Sequence, residues 1–141
     1  FNQAFLPEEI KSAYVVKCQK TQSAFIENKG NGQFALQDLP LEAQFSPINA
    51  MINGDFDQDG HLDVLTAGNS FATEVQTGRY DAQGSLLLRG DGKGHFVADR
   101  HALNLIGDNR SMASLKKADG SNLILIAANS GPLRVFKFRQ K

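Results

Sequence analysis

The sequence predicts an all-β fold built from repeated four-stranded units. Residues 24–34 resemble residues 86–96 at an offset of 62, and residues 60–70 resemble residues 120–130 at an offset of 60. Internal similarity at a fixed spacing is the sequence signature of a repeat architecture. The chain also has 13 glycines and scattered short apolar runs. This pattern indicates tight turns between short strands.

The elements are predicted in order along the chain. A short helix comes first, because Pro7 and the acids that follow it suit a first helical turn. Residues 13–18 follow as a strand. The first repeat unit covers about residues 20–80 and the second about residues 81–130. Their eight strands are expected near residues 23–28, 33–37, 48–53, 62–67, 85–89, 95–98, 110–115 and 123–128. A terminal strand over residues 132–138 begins a third unit.

Four-stranded units at this spacing are characteristic of β-propeller blades. Residues 1–141 form a single repeat region without a domain boundary, in which the Pro-bounded segment 39–47 is a connector. Two blades and a partial third do not close a ring, because propellers have about four to eight blades. The chain is therefore expected to be a fragment of a larger propeller. Its open blade edges predict self-association.

The composition excludes several classes of function. Fifteen basic and fifteen acidic residues give no net charge, and the sequence has neither a basic run nor an apolar run of membrane-spanning length. We therefore expect no nucleic-acid binding and no membrane span. Because the sequence begins at Phe1 without a leader, any targeting signal is expected upstream. The single Cys18 can form no internal disulfide and is expected to be a buried structural thiol.

The strongest chemical motif is an acidic run after the third strand of the first unit. Its candidate metal ligands are Asp55, Asp57, Asp59, the carbonyl of His61, and Asp63. Unpaired carboxylates this close repel one another, and a hard divalent cation with oxygen ligands removes that repulsion. Gly60 permits the sharp turn. Ca²⁺ is favoured over Mg²⁺ because a flexible cage of protein oxygens suits the larger ion, and zinc lacks its usual Cys and His ligands.

This acidic run differs from an EF-hand, which needs a bidentate Glu at position 12 and a following helix. Thr66 occupies that position, and a β-like run follows the motif. The bound ion is expected to be structural; the alternative is a solvated acidic turn without metal. The aligned positions in the second unit are Leu115, Lys117, Asp119 and Leu123. No calcium site is expected there, and Lys117 is expected to supply positive charge instead.

The pattern Asp-x-Asp-x-Asp-Gly-x-x-Asp at residues 55–63 resembles the calcium loop of FG-GAP repeats, as in integrin alpha-chain propellers. Segments 39–47, 68–69, 78–81 and 88–96 are similar to bacterial VCBS/FG-GAP repeat proteins of the ASPIC and UnbV type. The resemblance covers about residues 20–138. It implies a propeller in which the four aspartates of the pattern bind calcium. It also implies a secreted or surface-exposed protein that serves adhesion or recognition, and it implies no reaction.

The expected function is a non-enzymatic, calcium-binding repeat module for extracellular recognition or adhesion, with a protein or glycan partner. One alternative is part of a propeller-fold lyase or hydrolase whose active site lies outside this fragment. Another is a purely structural repeat. Arg89-Gly90-Asp91 spells the cell-adhesion tripeptide, but a hairpin turn is the better interpretation. The long loop 69–81 contains Arg79, Tyr80 and Asp81, for which packing within the protein is favoured over ligand binding.

Overall fold

The computed structural model describes residues 5–103 and 105–137, and this part of the chain is nearly all-β. Its elements are α1 (Pro7–Ile10), β1 (Ala24–Gly30), β2 (Gln33–Asp38), a 3-10 helix (Leu41–Gln44), β3 (Ile48–Gly54), β4 (Asp63–Gly68), β5 (Ser85–Gly90), β6 (Phe96–Asp99), β7 (Asn109–Lys116), β8 (Asn122–Ala128) and β9 (Arg134–Lys137). The short helix and the strands of both repeat units are confirmed. So is the terminal strand, although Phe138 at its predicted end lies outside the described residues.

Hydrogen bonding divides the strands into three antiparallel sheets, and none of them closes into a barrel within the described ranges. The first sheet is β1-β2, the second is β3-β4-β5-β6, and the third is β7-β8-β9. The predicted grouping into two four-stranded units plus a terminal strand is therefore corrected. Strands β3 and β4 join β5 and β6, although they belong with β1 and β2 in the unit of residues 20–80.

Two connectors explain this grouping. The link from β2 to β3 contains Pro40 and Pro47, whose nitrogens carry no hydrogen for a strand ladder, so the chain leaves the first sheet there. The link from β4 to β5 folds back on itself through a bridge between Ser70 and Tyr80. The two strands consequently remain antiparallel neighbours despite the length of the loop between them.

The internal repeat is visible in the strand register. Gly90 pairs with Phe96 in the second sheet, and Asn28 pairs with Phe34 at the position 62 residues earlier. The order β7-β8-β9 likewise repeats β3-β4-β5. The second sheet contains all four strands of the repeat. The first sheet contains only β1 and β2, which correspond to β5 and β6.

Strand β5 is buried on both faces of the second sheet. Leu87 contacts one apolar cluster, which extends to the third sheet through Ile124 and Ile126. Leu86 and Leu88 point to the opposite face, as strand alternation requires, and form a second cluster with Ala43 of the 3-10 helix. Packing on both faces holds β4 and β5 in place, and the acidic loop begins directly before β4.

The second and third sheets are also joined by polar contacts, which we call the asparagine seam and define as Asn49, Asn69 and Asn109. The Asn49 Nδ2 donates to the carbonyl oxygens of Asn69 at 2.7 Å and of Asn109 at 3.0 Å. The Asn69 Nδ2 donates to the Gly107 carbonyl at 3.2 Å. Asn69 and Asn109 are buried and Asn49 is half-buried, so these bonds join the two sheets at a largely buried junction.

Two predictions near the N-terminus are wrong. Residues 13–18 form no strand, and the side chains of Tyr14 and Val16 are exposed. An apolar run forms a stable strand only when a neighbouring strand takes its backbone hydrogen bonds, and none of the described strands pairs with this segment. Cys18 is exposed rather than buried, and its thiol donates to the Lys20 carbonyl. Cys18 is exposed because its segment packs in none of the described sheets.

Candidate metal centre

The acidic loop connects β3 to β4 and is held by hydrogen bonds from its own backbone to its own carboxylates. The Asp55 carboxylate accepts from the amides of Asp59 at 3.2 Å and Gly60 at 3.1 Å. The amide of Asp59 also lies 3.3 Å from the Asp57 carboxylate. Gly60 has a φ of 88°, a conformation in which a side chain would be strained. The loop is therefore curled, and Asp55 and Asp57 accept from amides further along it.

Three carboxylates converge in this loop. Asp55, Asp57 and Asp63 each offer an oxygen atom, and these atoms lie within 4.8 Å of one another. Asp55 and Asp57 are exposed, whereas Asp63 is fully buried. Three negative charges this close repel each other, and the repulsion is strongest for the buried one. The acidic triad is a donor set made only of hard oxygen atoms and can hold a metal ion.

Asp63 connects the loop to the second sheet. Its Oδ2 accepts from the Phe56 amide and its Oδ1 accepts from the Gly90 amide, both at 3.0 Å. Gly90 has to be a glycine, because a Cβ atom there would lie 2.2 Å from the Leu62 carbonyl oxygen. This close approach of β5 is what brings the Gly90 amide to the carboxylate.

The two remaining predicted ligands are placed differently. The Asp59 carboxylate accepts from the His61 amide at 2.8 Å and does not belong to the converging triad. The His61 ring lies against the next hairpin turn, where a Cβ on Gly92 would meet its Nδ1 at 2.6 Å. The ring thus lies beside the Gly92 turn, and the carbonyl of His61 as a candidate ligand stays a prediction.

Sequence reasoning missed one residue of the site, Arg89 of β5. Its guanidinium forms a fork in which Nη1 donates to Asp57 at 2.9 Å and Nη2 donates to Asp99 at 2.7 Å. The hydrogen bond to Asp99 is the main cause that raises the pKa of Arg89 above its ordinary value. Arg89 is the one exposed position of β5, whose other residues are buried, and a charged residue directly after the apolar run 86–88 is the one sequence signal that marks it.

The equivalent turn of the second repeat is built without an acidic cluster. Leu115 and Leu123, which align with Asp55 and Asp63, form a cross-strand pair in the ladder of β7 and β8. The positive charge expected at Lys117 is present, and its ammonium lies 2.8 Å from the Asp119 carboxylate. Lys117, followed by Ser121, lowers the pKa of Asp119. A lysine side chain thus neutralises the remaining acid of this turn.

Two other candidates are explained by packing. In the adhesion tripeptide, Arg89 bonds to Asp57 and Asp99, and the Asp91 carboxylate accepts from the amides of Lys93 and His95. The tripeptide is therefore part of the hairpin between β5 and β6. In the loop 69–81, the Arg79 guanidinium lies over the Phe71 ring at 5.2 Å. Both arginines are thus engaged within the protein.

The chain matches no protein-family model, no characterised protein and no solved structure. Across residues 5–103 and 105–137, no helix combines the length and apolar character needed to span a membrane. The acidic triad and the all-β repeat architecture are therefore the features on which a function can be argued.

Proposed function

We propose that this chain is a non-enzymatic, calcium-binding repeat module whose sheets are blades of a larger β-propeller, and that it serves recognition outside the cytoplasm. The observation that carries the proposal is the convergence of Asp55, Asp57 and Asp63 within 4.8 Å. In the bound state, Asp59 and the His61 carbonyl complete the set of oxygen ligands.

The chemistry of the donors favours Ca²⁺. This ion takes about six to eight oxygen ligands in flexible geometry, whereas Mg²⁺ demands a near-ideal octahedron and retains several waters. The acidic loop offers carboxylate and carbonyl oxygens on the short connector between β3 and β4. In this proposal the ion acts by fixing the loop between β3 and β4. Extracellular calcium modules bind with dissociation constants of about 10⁻⁴ to 10⁻³ M, and we expect that range here.

Two structural features support the propeller part of the proposal. The second sheet is an antiparallel meander of four strands taken in chain order, which is the topology of a propeller blade. Its first strand, β3, packs against β7, the first strand of the following sheet. Successive sheets joined through their first strands produce a radial arrangement. In this proposal further sheets complete the ring.

A cleft beside the acidic loop supports a recognition role. The cleft lies between the loop and the end of the third sheet and combines the apolar side chains of Ile52, Phe56 and Ile124 with the polar side chains of Asn53, Asp55, Gln58, Ser114, Ser121, Asn122 and Lys137. Amide, hydroxyl, carboxylate and ammonium groups beside apolar side chains fit a partner rich in hydroxyl groups, such as a glycan or a polar protein loop. Calcium fixes one wall of this cleft.

Isothermal titration calorimetry with Ca²⁺ tests the proposal. We expect one bound ion per chain and a higher melting temperature in calcium than in chelator, because a ligand that binds only the folded state stabilises it. Asp55→Asn removes one charged ligand and is expected to weaken binding by about tenfold or more. Mg²⁺ at equal concentration is expected to bind more weakly.

The matched control is Asp119→Asn, which removes an acid from the equivalent turn of the second repeat. Its calcium affinity is expected to equal that of the wild type, because Lys117 already neutralises Asp119. Absence of both heat and a thermal shift in millimolar Ca²⁺ would refute the proposed function. Equal losses in the two variants would show that overall charge, and not the acidic loop, attracts the ion.

A further inference from the structure

Arg89 places a fixed positive charge beside the proposed calcium ligands. Its side chain comes from β5, 32 residues after Asp57, and bridges the acidic loop to Asp99 at the end of β6. The side chains of Asp57 and Asp99 are 22% and 26% exposed, and that of Arg89 is 43% exposed. The guanidinium therefore contacts two partly exposed carboxylates, one of them a member of the converging triad.

We infer that Arg89 is a built-in counter-cation of the acidic loop and sets how tightly the loop binds Ca²⁺. This inference rests on the calcium site proposed above and adds a residue that contacts a ligand from outside the loop. Without an ion, Arg89 compensates the charge of Asp57. With an ion bound, the guanidinium remains near the divalent charge and repels it.

Two effects of Arg89 oppose each other, and their magnitudes decide the sign. The fork orients Asp57, which favours binding, but an ordered exposed ion pair contributes little free energy. The repulsion acts between one positive charge and a doubly charged ion, so it is twice that between two unit charges at the same distance. Repulsion is therefore the larger effect, and loss of Arg89 is expected to tighten calcium binding.

The second repeat shows the same principle in another form. There the position that aligns with Asp57 is Lys117, and its ammonium contacts Asp119 directly. A side-chain cation on the loop itself replaces one carboxylate and neutralises another. In the second sheet the cation is Arg89 on the neighbouring strand β5, so the acidic loop keeps all its carboxylates and only part of their charge is balanced. In the equivalent turn of the second repeat, Lys117 neutralises the single remaining acid.

The test compares the calcium affinity of wild type, Arg89→Gln and Arg89→Lys by calorimetry at low salt. We expect Arg89→Gln to bind about threefold to tenfold more tightly. We expect Arg89→Lys, which keeps the charge and loses the fork, to stay within about twofold of wild type. At about 0.5 M salt the difference for Arg89→Gln is expected to shrink, because exposed charges are screened.

Melting temperatures in chelator provide a second readout. Arg89→Gln is expected to melt lower than wild type without calcium and to gain more from calcium, because its carboxylates repel one another until the ion arrives. A role in folding alone would lower both melting temperatures and leave the affinity unchanged. Circular dichroism verifies that each variant is folded.

Arg79→Gln is the matched control, because Arg79 lies in the loop that follows β4, whereas the acidic loop precedes it. Its affinity is expected to be that of wild type. Weaker or unchanged binding by Arg89→Gln at low salt would overturn the inference while leaving the calcium site intact. Wild-type protein that binds no calcium would overturn the site and the inference together.

Discussion

Asp63 shows how a single carboxylate can belong to a loop and a sheet at once. It lies at the start of β4, is fully buried, and accepts hydrogen bonds from one amide in the acidic loop and one in β5. A buried carboxylate is tolerated when its oxygens are bonded and its charge is compensated. Asp63 is thus a structural acceptor as well as a member of the converging triad, so its loss should affect folding even without calcium.

We expect Asp63→Asn to lower the free energy of unfolding by about 2–3 kcal/mol in chelator. The amide keeps one acceptor oxygen but turns an NH₂ group toward one of two backbone donors, and an unsatisfied buried donor costs about 1–3 kcal/mol. Urea denaturation followed by circular dichroism measures the change. Asp59→Asn is the control, because Asp59 is exposed and accepts from the adjacent turn, and its effect is expected to stay below about 1 kcal/mol. Equal effects would contradict the structural role of Asp63.

Arg89 marks the limit of residue-level prediction from the sequence. The acidic run was recognisable because its ligands are close in the chain, and the spacing of acids and Gly60 predicts a curled loop. Arg89 reaches the loop through the pairing of β4 with β5, a long-range contact that local spacing does not reveal. Asp59 fits the ligand spacing equally well, and its carboxylate accepts from the His61 amide outside the converging triad. Spacing therefore predicts the curl of the loop, and the role of Asp59 as a ligand stays a prediction.

At the scale of elements, the strands were predictable and their partners were not. Short apolar runs between Gly-rich turns indicate each strand locally. Which strands share a sheet depends on whether each connector returns the chain to the same sheet. The loop between β4 and β5 is long, so the sequence does not indicate that these two strands pair. The segment 13–18 has a strand-like composition but pairs with none of the described strands. Local pattern thus determines the elements, and the connectors determine the sheets.

Asp108 reinforces the junction of the second and third sheets and makes it sensitive to acid. Its carboxylate is buried and bonds to Arg110, to Asn129 and to the Phe71 amide. Burial acts to raise the pKa of Asp108, but the hydrogen bonds from Arg110 and Asn129 outweigh it, and the pKa lies below its ordinary value. The ionised form therefore stabilises the folded state, and its contribution is present above the unfolded pKa of about 4.

We expect Asp108→Asn to be less stable than wild type at pH 7 by about 1 kcal/mol or more, because charged hydrogen bonds across the junction are lost. The difference should shrink as the pH falls below about 4, since wild type loses the same stabilisation when Asp108 takes up a proton. Urea midpoints measured between pH 7 and pH 2.5 test this. A difference that stays constant over the whole range would show that the ionised carboxylate is not the stabilising form.

At the scale of the whole molecule, the repeat reveals which surface is incomplete. Leu88 of β5 is 1% exposed, whereas Ile26, 62 residues earlier in β1, is 58% exposed. The difference arises because β4 pairs with β5, and β1 has no described strand on its corresponding edge. A two-stranded sheet with an open edge and exposed apolar side chains is a site for strand pairing with another chain.

The chain is consequently expected to self-associate in solution through the open edge of β1. Light scattering coupled to size-exclusion chromatography should give a mass above that of one chain, increasing with concentration. Ile26→Lys should shift the protein toward monomer, because a charge on an edge strand opposes pairing with another strand. Val75→Lys places the same charge on the fully exposed loop between β4 and β5 and should leave the mass unchanged. A monomeric wild type at every concentration would show that the exposed edge does not recruit a second chain.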